Sequence, residues 1–483
     1  MNLLIQWQRY VFLFLMASML IMYQNCGQFI ANQEGGSLLS STGQEKFQCD
    51  SSAIPNVSNT RRLTKREYVN TLYDLGGVFS VEDQVLFREA LEISLQNLPD
   101  DSNEEGRFRE QTNFVSQQLI DAFINIGITV GEFVQEQPAR LRQFVGTCAE
   151  DGSIDRACVQ EFSDKMGKKI YRRPLTANEI EQLFLDIQDF NGPKAQWLVT
   201  RVLSNPQFFM HIENTRQDLG NGLYEIDDFS LASRVSYFLL GTMPDDELLQ
   251  AAEEGRLRTP AGLREQVMRL DSPAHRPALS SLMYRFFEQW LRLDEVSIPD
   301  PESNTLMMNF AAGATLSQQS LKSEIESMID YFTFEVPGDY SDLLTNDISF
   351  AKNSDLANVY QVPVWNGNTN QLVRFPEGQR SGLLTRAAFL VNQGSLSKPI
   401  QRGIHIRHDI LCDPLPPPPA EIFDRDPLPF NPDFTTRERV TLKTSDQSCM
   451  GCHSKINDTG FALEKYDSFG RFRLAEKIFD PQS

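Results

Sequence analysis

Close to its C-terminal end the chain reads Cys449-Met450-Gly451-Cys452-His453. On a helix, thiols three positions apart share one turn. They can then add to the two vinyl groups on one edge of a porphyrin, while the adjacent imidazole is aimed at the iron from the proximal side. Two other chemistries use similar residues. A redox dithiol would normally follow a strand in an α/β unit, and the sequence shows no such unit. A structural zinc would need one or two further ligands, which no nearby Cys or His supplies. The spacing therefore predicts one covalent haem c, with Cys449 and Cys452 as thioether anchors and His453 as the metal ligand.

The sixth position on such an iron decides what the haem does. After His453 the chain contains neither Met nor His, so a distal ligand is expected upstream or not at all. Upstream methionines of the mature chain include Met166, Met210, Met243, Met268, Met283, Met307, Met308 and Met328, and the upstream histidines are His211, His275, His405 and His408. Each one singly is better explained by packing or surface. His405 and His408, at i and i+3, would share a face of a helix and offer a distal imidazole or a separate metal site.

The elements that must position these residues read as helices. Thr64-Lys65-Arg66-Glu67 is a capping box followed by Tyr68, Leu72 and Leu75 at helical spacing, and Thr176-Ala177-Asn178-Glu179 repeats the pattern ahead of Ile180, Leu183, Phe184 and Ile187. A helix over 226–240 is expected to turn Leu231, Val235, Phe238 and Leu239 inward and to stop at Gly241, and Pro244 is expected at the first turn of the next. Thr259-Pro260 opens another, and 317–334 is amphipathic. Phe286, Phe287, Trp290 and Leu291 form an aromatic stripe that reads as core. No segment sustains a two-residue alternation. The fold class expected is mainly α: a multi-domain helical protein with a short C-terminal cytochrome c-like haem segment. The organisation expected is a signal peptide and lipobox at 1–26, a flexible tether at 27–60, helical domains or regions at 61–220, 221–335 and 336–412, a Pro-rich linker at 413–447, and the haem attachment segment at 448–483.

The N-terminus reads as an address. The apolar run from Tyr10 to Tyr23 is too short to span a bilayer permanently and resembles a secretory h-region. It ends before Cys26, placed like the lipidated cysteine of a bacterial lipoprotein, although Gln24 and Asn25 occupy positions where small residues are usual. The expectation is a periplasmic or outer-membrane lipoprotein of a bacterial cell envelope, in contact with the membrane through an N-terminal lipid only. In that oxidising setting Cys148 and Cys158, ten residues apart across an acidic turn, are expected to form a disulfide. Cys49 and Cys412 then remain as a pair by elimination.

With 41% hydrophobic and 23% charged residues over 483 positions, the chain is globular and large enough for several cores. Its 45 Lys and Arg against 65 Asp and Glu give a net charge of −20, which argues against nucleic acid as a partner and calls for a redox partner with a basic docking face. No nucleophile-elbow, zinc-protease, phosphate-loop or dinucleotide motif is present.

Four stretches resemble the serial domains of unknown function of planctomycete-type, cytochrome-associated surface proteins. They are Arg61 through Leu75, Tyr171 through Thr176, Ser233 through Leu249, and Arg380 through the proline run after Cys412. The haem segment resembles the same family in Cys449, Cys452 and His453, then Gly460 through Glu464, Tyr466-Asp467 and Gly470-Arg471, with Asn457-Asp458-Thr459 in place of the usual Asp-Pro. The resemblance implies a helical, exported, haem-bearing protein. The function expected is electron transfer. A haem-dependent oxidoreductase and a surface binding protein with a structural haem are the alternatives.

Overall fold

The computed structural model describes residues 60–476, apart from 102–114, 221, 337, 414, 417–430 and 432. The apolar run at 10–23, Cys26, the tether and Cys49, with its suggested bond to Cys412, lie outside the described residues, as does most of the Pro-rich stretch. The fold is mainly α, and the described chain forms two compact units divided inside helix Arg276–Trp290. No helix among the described residues is long and apolar enough to cross a membrane.

In the first unit, strand β1 (Arg61–Arg62) pairs antiparallel with β2 (Met210–His211). The chain then enters α1 (Lys65–Leu75) through the expected capping box: the Glu67 backbone N–H donates to Thr64 Oγ1, and the Thr64 N–H donates to Glu67 Oε2 at 2.8 Å. Tyr68, Leu72 and Leu75 are buried. Helices α2 (Val81–Gln96) and α3 (Gln117–Gln135) follow, and the second capping box opens α4 (Ala177–Gln188). Helix α3 lies directly on α5 (Lys194–Leu203); a Cβ on Gly131 would meet the Gln196 carbonyl at 2.6 Å, so only glycine permits that approach. Cys148 and Cys158 are disulfide-bonded, as expected.

Three details differ from the sequence reading. A hairpin, β3 (Thr215–Gly220) with β4 (Leu223–Ile226), precedes the next helix. All of β3 is exposed, so it has no buried face to leave an alternating pattern. Because Ile226 pairs with Thr215, helix α6 starts later than expected and spans Asp228–Leu240, capped by Asp227. Its inward face is Ala232, Ser236, Tyr237 and Leu240, set by the bond between the Tyr237 and Thr71 hydroxyls, and Phe238 is turned outward. Pro244 lies outside the following helix α7 (Asp246–Glu253), because Asp245 takes the N-cap by accepting from the Leu248 N–H. Helix α8 (Pro260–Leu270) starts at the expected proline.

The second unit begins in α9 (Arg276–Trp290), whose aromatic stripe is core: Phe286, Phe287, Trp290 and Leu291 pack with Ile325, Met328 and Phe350. Helix α10 spans Thr305–Ala311, and α11 (Gln318–Asp330) ends in a π-turn at Tyr331–Glu335. A short pair, β5 (Ile348–Ser349) and β6 (Val373–Arg374), flanks α12 (Ser354–Tyr360). Glu324 and Arg386 form a fully buried ion pair. Burial pushes the Glu324 carboxyl up and the Arg386 guanidinium opposes that shift. The Tyr360 hydroxyl donates to Glu324 Oε2 at 2.5 Å and accepts from the Ala387 N–H. Buried charges of this kind persist only when every donor and acceptor has a partner.

Candidate functional site: a cysteine–histidine turn on the last helix

Three helices of the second unit build the site: α13 (Pro399–His405), α14 (Thr436–Lys443) and α15 (Gln447–Phe461). Cys449, His453, Ile456 and Gly460 fall at i, i+4, i+7 and i+11, so they make one stripe along α15, with Cys452 at its edge. The stripe is docked at its C-terminal end. A Cβ on Gly460 would meet the Pro399 carbonyl at 1.9 Å, and one on Gly403 would meet the Ile456 carbonyl at 2.2 Å. Pairing 399 with 460 and 403 with 456 means that α13 and α15 run antiparallel with backbones in contact. The chain leaves α13 as a π-turn, Ile406–Ile410, beside the N-terminal half of α15.

Arg402 secures this crossing. Its Nη1 donates to the carbonyls of Leu463 and Tyr466 at 3.0 and 2.9 Å, and its Nη2 to those of Leu390 and Asp467 at 2.6 and 2.8 Å. Burial lowers its pKa to about 10, so the guanidinium stays charged. Four carbonyls satisfied by one cation fix the chain on both sides of the glycine contact.

The other end of the stripe carries the predicted residues, and the structure brings all three together. Cys449, Cys452 and His453, at i, i+3 and i+4, lie together on one side of the helix and are half-buried. His453 Nδ1 is 3.0 Å from Asn457 Oδ1, one turn on. Asn457 Nδ2 donates to Thr444 Oγ1 at 2.8 Å, and that hydroxyl donates to the Val440 carbonyl at 2.8 Å. On this turn Met450 faces outward, 41% exposed.

These features fit a covalent haem. The two sulfurs share a turn, the adjacent imidazole has Nδ1 paired with a protein partner and its other nitrogen left for a metal, and Met450 on the same turn offers exposed apolar surface to a porphyrin. Among the described residues no group of three or more His, Cys, Asp and Glu could hold a bare metal ion. The donor set here is a single imidazole, which is what a porphyrin-held iron requires on one side.

Of the upstream candidates in this unit, Met283, Met307 and Met328 are buried in apolar packing, and Met308 is exposed. The helix changes to a π-turn directly after His405, and His405 and His408 both turn toward the Asp409 carboxylate: His405 Nε2 lies 3.1 Å from Oδ2, and His408 Nδ1 lies 2.6 Å from Oδ1. His405 also stacks on Phe389, and burial pushes its pKa down.

Sequence reasoning missed Thr444, Arg402 and Gly403 as parts of the site, and it named Asn457 and Gly460 only as members of the resembling segment, without their roles. Asn457 had a local signal, since it stands four positions after the histidine on the same helix.

Comparison with known families follows this division of the chain. Residues 226–362 match the model PSD4, a protein of unknown function (DUF1592), and residues 380–476 match PSCyt3, a protein of unknown function (DUF1588). The chain thus carries, in series, two domains of unknown function. The second match contains the whole of the site, from Arg402 to Asn457. No curated protein and no solved structure matches the chain.

Proposed function

We propose that this protein is an exported, lipid-anchored c-type haem protein that passes single electrons. One observation carries the reading: Cys449, Cys452 and His453 share a turn at the exposed end of a helix whose other end is locked into the body, with the His453 ring already held by Asn457. When bound there, haem supplies a one-electron couple. Cys449 and Cys452 would hold it through thioethers, His453 would bind the iron through Nε2, and the rigid α13–α15 crossing would keep that imidazole in one orientation through both redox states. A net charge of −20 favours a redox partner with a basic docking face. Cys26 would tie the chain to the membrane of the cell envelope through lipid.

The test is to export the full chain from a host competent in cytochrome maturation, then measure its intact mass and its reduced absorption spectrum. The expected product is coloured, is heavier by one haem, and loses both properties in the Cys449→Ala, Cys452→Ala double variant. A colourless product of unmodified mass would overturn the reading. Cys26→Ala should release the haem protein from the membrane fraction; retention of that variant would remove the lipid anchor from the proposal.

A further inference from the structure

A neutral imidazole has two tautomers, and only the one with its hydrogen on Nδ1 leaves Nε2 free to bind a metal. The contacts around His453 select between them by donor accounting. Thr444 has one hydroxyl hydrogen, and it is used on the Val440 carbonyl. Thr444 Oγ1 therefore accepts from Asn457, which places the Asn457 amide nitrogen toward Thr444 and its oxygen toward the histidine. That oxygen can only accept, so the hydrogen between the two residues sits on His453 Nδ1. Asn457 and Thr444 are 8% and 4% exposed, so water does not compete for these bonds.

We propose that Asn457, held by Thr444, is a positioning residue that keeps His453 in the Nδ1–H tautomer before any metal is present and sets the bound iron's potential below that given by no acceptor and above that given by a carboxylate. The second part rests on the haem reading above, and the first does not. The tuning follows from charge. An acceptor on Nδ1–H pushes electron density through the ring onto Nε2 and favours the ferric state. A neutral amide pushes less than a carboxylate in the same place would, and removing the acceptor removes the push altogether.

Two measurements separate the parts. In the full chain without haem, labelled with 15N histidine at mildly alkaline pH, long-range proton–nitrogen correlations report the tautomer of each of the five histidines. His453→Gln identifies the signal of interest. His453 is expected as Nδ1–H, unlike free imidazole, and Asn457→Leu and Thr444→Val should each move most of it to Nε2–H. A wild-type His453 found as Nε2–H would sink the proposal, whatever becomes of the haem.

In the haem-loaded protein, the midpoint potential should fall in Asn457→Asp by at least a tenfold change in the reduction constant, or 59 mV for one electron. It should rise in Asn457→Leu and Thr444→Val. A role confined to stability would not move the potential in opposite directions. Midpoints unchanged or lowered in both neutral variants, with haem mass present in each, would overturn the tuning. If Asn457→Leu fails to fold, Thr444→Val carries the same sign test. Absence of haem from the wild type would overturn the preceding reading alone and leave the tautomer result standing.

Discussion

The local caps and disulfide of the first unit and the contacts that fix the site in the second differ in reach. In the first, the Thr64–Glu67 and Thr176–Glu179 caps, the Arg173–Glu179 pair and the Cys148–Cys158 bond all join residues close in sequence. Longer reaches occur there too: Arg172 donates to the carbonyls of Gln207, Phe208 and Met210, the Thr71 and Tyr237 hydroxyls bond, and β1 pairs with β2. In the second unit the contacts that fix the site are long-range. Arg402 reaches 61 to 65 positions along the chain to its later carbonyls, Arg386 meets Glu324 across 62, and two glycines bring backbones 53 and 61 positions apart into contact. Locally coded structure tolerates damage at its periphery, whereas a unit pinned by a few distant contacts loses its arrangement when one of them is removed.

The most damaging test of this contrast is Gly460→Val. The added atoms meet the Pro399 carbonyl with no room to shift, so the second unit should lose about 4 kcal/mol, read by denaturant unfolding at Trp290 and Trp365. Arg402→Met leaves four buried carbonyls short of a donor and should cost the same unit about 3 kcal/mol. Equal loss in both units would break the comparison.

Reducing the Cys148–Cys158 bond should cost the first unit about 2–3 kcal/mol, the entropy of closing a short loop. Limited proteolysis with and without reductant should show new cleavage between 60 and 282 and none around α13 to α15.

Acid sharpens the contrast further. Burial pulls His211 from its ordinary 6.5 down to about 4, against the pull of Glu67. Between those values the unfolded chain binds a proton that the folded unit refuses. Stability is therefore full above pH 6.5 and falls as pH drops toward 4, by at most about 1.4 kcal/mol per pH unit. His211→Gln should flatten that slope, as measured by melting temperature against pH.

The smallest effect is expected at the exposed end of α15. A Cβ on Gly451 meets nothing within 4 Å, so Gly451→Ala should stabilise the helix by about 0.5–1 kcal/mol and leave haem attachment unchanged by mass. A large loss there would mean that the turn bearing the cysteines is itself part of what holds the unit together.

The same difference in reach explains what could be read from the residues alone. The Cys449–His453 spacing, the two capping boxes, the Cys148–Cys158 loop and the aromatic stripe at 286–291 are patterns a few residues long, and each names its own partner. The β3–β4 hairpin left no trace because neither periodicity nor burial marks it. Gly403, Gly460 and Arg402 look ordinary in sequence, since their roles exist only once helices distant along the chain meet. The π-turn after His405 was equally invisible, as was the Asp409 carboxylate that both imidazoles turn toward. Asn457 lies between these cases: its spacing from His453 is local, but its amide orientation depends on Thr444 from another helix.

Arg471 lends the C-terminal region one more property. Its guanidinium donates to the carbonyls of Ala311 and Phe310 at the end of α10, and its Nε to Asp467. The stretch bearing the Cys449–His453 turn is thereby sewn into a scaffold laid down more than a hundred residues earlier. It is not a portable cartridge: cut free at the proline run and produced as a peptide, it would carry the five-residue signature without the partners that give the signature its shape.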